Sequence, residues 1–101
     1  MSIRIKKGVC ILGFKPEILL AIMVAEGIFA EYGVPCVITE GTEGKHTAHS
    51  HHKKGLAVGF RTRQIPPELH AELVERLTQA LGGDFQVILH KTHIHVEYDP
   101  K

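Results

Sequence analysis

The sequence predicts a single α+β domain, a small antiparallel sheet with two main helices packed against it. Three observations carry that expectation. Two segments, residues 17–32 and 66–81, hold apolar residues at helical spacing, and each has proline at its start and glycine at its end. Two further segments, 85–90 and 93–98, alternate at strand period with two residues between them. The chain has 101 residues, room for one domain and one core, so residues 1–101 are read as one unit.

Residues 3–11 suit a short strand or an extended arm. Pro16 then fits the first turn of a helix, where its missing N–H has no helical partner to lose, and Gly33 suits its stop. Ile18, Leu19, Ile22, Met23, Ile28 and Phe29 cover much of this helix's circumference. Such a helix is buried on two faces or packed against another subunit, and a central core helix is the simpler expectation. Residues 34–39 read as a strand through Val37 and Ile38. Residues 40–55 form a polar stretch with Gly41, Gly44 and four histidines, a length usually reserved for a functional loop. Residues 56–61 read as the next strand. After Pro66 and Pro67, Leu69, Leu73, Leu77 and Leu81 make one apolar stripe ended by Gly82 and Gly83, with His70 expected in solvent.

The closing segments predict a tight hairpin turning at Lys91 and Thr92, although that pair lacks the usual glycine. In this register His90 faces His93 and Ile88 faces His95. Side chains alternate across a strand, so His90, His93 and His95 share one face while Leu89, Ile94 and Val96 point to the core.

Composition narrows the functional classes. The chain is 44% apolar and 23% charged with a net charge of +1, which argues against a nucleic-acid partner held by a basic face. Cys10 and Cys36 are expected to be buried thiols. The longest apolar run, residues 18–25, is too short to span a bilayer, so no membrane partner is expected. With no signal-peptide pattern the expected location is a cytoplasm. Histidine is the anomaly: seven of eight fall in residues 46–52 and 90–95. Imidazole is the commonest zinc ligand, and a catalytic zinc site takes three protein ligands and an open position. A His-rich loop converging on a His-bearing hairpin has that chemistry; a surface cluster or a hydrogen-bonded network is the alternative.

Ser50-His51-His52-Lys53-Lys54-Gly55-Leu56-Ala57-Val58-Gly59 resembles the S-x-H-x-x-G-x-A-x-D motif of the zinc D-Ala-D-Ala carboxypeptidases, a family that includes phage L-alanyl-D-glutamate endolysins and shares its fold with the hedgehog signalling domain. His93-Ile94-His95-Val96-Glu97 resembles the family's H-x-H motif, and the likeness in layout covers most of the chain. The resemblance implies a hedgehog/DD-peptidase-like fold, zinc as cofactor, and a peptidoglycan peptide or a protein as partner, in a phage-related protein of the host cytoplasm or virion. It implies that His52 is the first zinc ligand and His95 the last. It further implies that His93 sits beside the metal as a catalytic hydrogen-bond donor, that Ser50 holds the substrate, and that Gly55 lets the chain turn into the next strand.

Two departures from the motif stand out. Gly59 replaces the aspartate that is the family's middle ligand, and His90 replaces the glutamate that shuttles the proton. Lys53 also stands where an aromatic residue is common. A glycine has nothing to coordinate with, and loss of a proton shuttle costs about 100- to 10,000-fold in rate. His90 is then either a third metal ligand or a catalytic base, since its pKa lies near neutrality. Two functions compete: a degenerate peptidase-like domain with weak or no hydrolysis, and an active metallopeptidase that cleaves stem peptides through a rewired His-rich zinc site. His90-Lys91-Thr92 also matches one H-x-T element of the two-histidine phosphoesterases, but no second element is placed to pair with it.

Overall fold

The computed structural model describes residues 2–43 and 54–100. Ser50, His52, Lys53 and the other loop histidines, His46, His49 and His51, lie outside the described residues.

The elements run β1 (Ile3–Ile5), α1 (Pro16–Glu31), β2 (Cys36–Glu40), β3 (Ala57–Arg61), a 3-10 turn (Pro67–Leu69), α2 (His70–Leu81), β4 (Phe85–Leu89) and β5 (His93–Tyr98). The strands form one five-stranded sheet in the order β1-β2-β3-β5-β4. The α+β class is as expected, but the sheet is mixed rather than wholly antiparallel. β1 pairs parallel to β2, with Ile3 opposite Cys36. A parallel neighbour needs a long crossover, which α1 provides. Three residues of β1 are too few to show that pairing in sequence.

Both helices pack on one face of the sheet. Phe29 and Ile18 from α1 and Leu73 and Leu77 from α2 meet Ile38, Val58, Phe60, Ile94 and Val96 in one buried cluster. A large apolar side chain buried in this way contributes about 1.5–3 kcal/mol. α1 is less enclosed than its composition suggests. Leu19, Leu20 and Met23 are exposed while Ala21 and Ala25 are fully buried, because small residues let the helix sit close to the sheet on one side only. At its end Tyr32 Oη donates to Glu72 at 2.6 Å and Arg76 pairs with Glu31 at 2.5 Å, which ties α1 to α2.

The hairpin has the expected register. Ile88 lies opposite His95 and Leu89 opposite Ile94, and His90 N–H donates to the His93 carbonyl at 2.8 Å. Ile94 and Val96 are fully buried. Leu89, expected in the core, is exposed instead, at the end of the edge strand β4. No helix among the described residues is long and apolar enough to cross a membrane.

Candidate functional site

The face of the sheet away from the helices carries the histidines. Strand pairing sets Arg61 opposite His93, Gly59 opposite His95 and Ala57 opposite Glu97. Directly opposite residues project to the same side, so one row holds His93, His95 and Glu97 and the next holds Arg61, Gly59 and Ala57. Gly55 enters β3 with φ +75, and its Cβ position runs into the backbone carbonyl of Gly13. Glycine is therefore required there for two reasons, a left-handed turn and a close crossing of chains. The crossing segment is clasped by the residues that follow β2: Glu43 Oε1 accepts from Cys10 N–H and Gly41 N–H at 2.9 Å each, and Thr42 Oγ1 donates to the Leu12 carbonyl at 2.7 Å.

Beside Gly59 the sheet is irregular. Ile38 pairs with Phe60, but the next pairing joins Glu40, not Thr39, to Gly59. The extra residue is a β-bulge, which re-aims a side chain. Strict alternation from the buried Ile38 would send Glu40 toward the core. The bulge instead brings its carboxylate to the histidine face, where Oε1 lies 2.9 Å from His93 Nε2. Glu40 is the residue the sequence reasoning missed. The signal available was a carboxylate at a position where alternation predicts an apolar core residue.

His93 is held at both ring nitrogens. Its Nε2 faces Glu40, and its Nδ1 lies 3.3 Å from Thr92 Oγ1. Burial lowers its pKa below the ordinary 6.5; the Glu40 carboxylate opposes that, and His90 and His95 reinforce it. A neutral imidazole at pH 7 then donates from Nε2–H to the carboxylate and accepts from the threonine hydroxyl. His95 is paired separately, its Nε2 2.8 Å from Glu97 Oε1, with both side chains largely buried. His90 is exposed and stacks on His93 with ring centroids 4.8 Å apart; it meets His95 edge-on at 6.2 Å.

The structure thus brings His90, His93 and His95 together as expected and adds Glu40 and Glu97 to them. Ser50 and His52 fall outside the described residues. His70 is not simply solvated: its Nε2 lies 2.8 Å from the Ile65 carbonyl and 3.1 Å from that of Thr62, bracing the turn between β3 and α2. Among the described residues no three His, Cys, Asp or Glu side chains are grouped to hold a metal ion, and the outer nitrogens of His93 and His95 are turned to carboxylates.

Next to this cluster, and sharing Glu40 and His93 with it, opens a cleft of about 660 Å³ bordered also by Lys6, Arg61, Arg63 and Lys91. No family model, no curated protein and no solved structure matches the chain.

Proposed function

We propose that the chain is a peptidase-like domain, related in design to the zinc D-Ala-D-Ala carboxypeptidases and L-alanyl-D-glutamate endolysins, that binds a peptide with weak or no hydrolysis. One observation carries the reading. The place that a ligand carboxylate on residue 59 would need is crowded by the β2 bulge: a Cβ on Gly59 would lie 3.1 Å from Glu40 Cβ and 3.3 Å from Thr39 Oγ1. The neighbouring imidazoles are correspondingly engaged in a hydrogen-bonded network with Glu40 and Glu97. Zinc, in this reading, binds weakly through His52 and His95, with His90 or water as the third ligand.

A second reading has its own support. Glu40 restores a carboxylate beside Gly59, which suits a rewired metallopeptidase using His93 and His90 in catalysis. One experiment separates the two. Tag-free protein is analysed for zinc and assayed on L-Ala-D-Glu and D-Ala-D-Ala peptides. The first reading expects substoichiometric zinc and hydrolysis near background. Stoichiometric zinc with steady turnover selects the second.

A further inference from the structure

The four cations of the cleft beside His93 come from three separate stretches of chain. Lys6 follows β1, held by its N–H to the Ile38 carbonyl at 2.9 Å. Arg61 ends β3, directly opposite His93. Arg63 lies in the next turn, and Lys91 at the tip of the hairpin, which Thr62 N–H joins through the Thr92 carbonyl at 3.3 Å. Tertiary structure brings Lys6 and Lys91 to Arg61 and Arg63, although the whole chain carries a net charge of only +1. Among the described residues none of the four is ion-paired with a carboxylate. Glu40, the one acidic group on the wall among the described residues, is turned to His93.

Like charges gathered in one concave site repel unless an anion joins them, and such a site concentrates anions from solution. Arginine's fork matches a carboxylate or phosphate with two parallel hydrogen bonds, while lysine adds a point charge. Among the described residues no Phe, Tyr or Trp lines the cleft. Single-stranded nucleic acid needs such rings as stacking platforms, so a carboxylate-rich ligand is the better match. We infer that this cleft is an anion subsite, in which Lys6, Arg61, Arg63 and Lys91 anchor the carboxylates of an acidic peptide next to His93. The choice of a peptide rests on the peptidase-like reading; the anion subsite does not.

The test is a binding titration followed by backbone amide NMR on the intact chain. The probe is N-acetyl-L-Ala-D-Glu, compared with its uncharged diamide and with a short oligothymidylate. A charge-assisted hydrogen bond contributes about 1.5–3 kcal/mol, so loss of one weakens binding about tenfold or more. The expected result is dipeptide-induced shifts at Arg61, Thr92 and Lys91, weakened by added salt, and at least about tenfold weaker binding of the diamide. Arg61→Gln is expected to weaken the dipeptide to the same degree. Lys91→Gln, at an exposed hairpin tip, makes the same test with little risk to folding. Equal binding of diamide and dipeptide, or wild-type affinity in both variants, overturns the inference. Tighter binding of the oligothymidylate, lost in the same variants, also overturns it in favour of nucleic acid. A dipeptide that binds by charge but is never cleaved leaves the subsite standing and counts only against catalysis.

Discussion

The Glu40 carboxylate reaches His93 Nε2 at 2.9 Å from the neighbouring side of Gly59, across a position with no side chain of its own. Three residues on three strands are thereby coupled: the bulge in β2 aims Glu40, the glycine in β3 leaves room for it, and β5 presents the imidazole. The coupling makes the electrostatics of His93 depend on a residue far from it in sequence.

Replacing that charge tests the dependence. The carboxylate favours imidazolium and so raises the His93 pKa against the lowering by burial and by His90 and His95. Glu40→Gln keeps the shape and removes the charge. The His93 pKa is expected to fall further in this variant, measured by the pH titration of its imidazole resonances. A rise, or no change, would show that the pair does not exist in solution.

Restoring the motif's aspartate meets the same coupling from the other side. Gly59→Asp places a Cβ 3.1 Å from Glu40 Cβ and 3.3 Å from Thr39 Oγ1, so the neighbours must give by a few tenths of an ångström. Without metal the variant is expected to lose about 1–3 kcal/mol of stability, the usual cost of overpacking. In the double variant with His90→Glu, zinc is expected to bind more tightly than to wild type and to recover part of that loss, as any ligand specific to the folded state does. Thermal denaturation with and without zinc gives both numbers. A double variant with wild-type zinc affinity would show that the bulge blocks the site.

Gly55 is predicted to be the least replaceable residue of the motif among those described. Gly55→Ala forces a Cβ into a left-handed backbone and against the Gly13 carbonyl. The combined cost is about 2–5 kcal/mol, which for a domain of this size lowers Tm by on the order of 10 °C or more. Gly33→Ala, at nearly the same φ (+77) but with nothing within 4 Å of the added Cβ, isolates the conformational part of that cost and is expected to lose less.

Cys36 supplies a prediction for alkaline pH. Burial, and to a lesser extent Glu26, pushes its thiol up from 9.0 to about 12. The native thiol stays protonated at neutral pH and is expected to resist alkylation, whereas Cys10, which is half-buried, reacts first. Above pH 9 the unfolded chain releases the Cys36 proton while the folded chain keeps it, so stability falls as pH rises from 9 toward 12. In Cys36→Ala this part of the alkaline slope disappears, as denaturant titrations across that range would measure.

Much of the molecule was legible in its residues. The two helices, the turn at Lys91 and Thr92 and the register that faces Ile88 to His95 follow from spacing alone, because backbone geometry imposes periods of 3.6 and 2 on whatever face is buried. So does the shared face of His90, His93 and His95, whereas the turn at Gly55 was implied by the motif's resemblance, and its close crossing with Gly13 is a feature of the tertiary structure. What spacing cannot express is a broken period or a neighbour distant in sequence. The bulge at Thr39 and Glu40 turns a carboxylate from the expected core side to the histidine side. The parallel pairing of β1 depends on where α1 returns the chain. Lys6, Arg61, Arg63 and Lys91 become one basic cleft only when three segments meet, although the sequence as a whole is close to neutral. Local periodicity settles which residues form each element and which way they face, because it acts through bonded neighbours. The partner of each charge is settled by packing, because electrostatic contact depends on distance in space and not on separation along the chain.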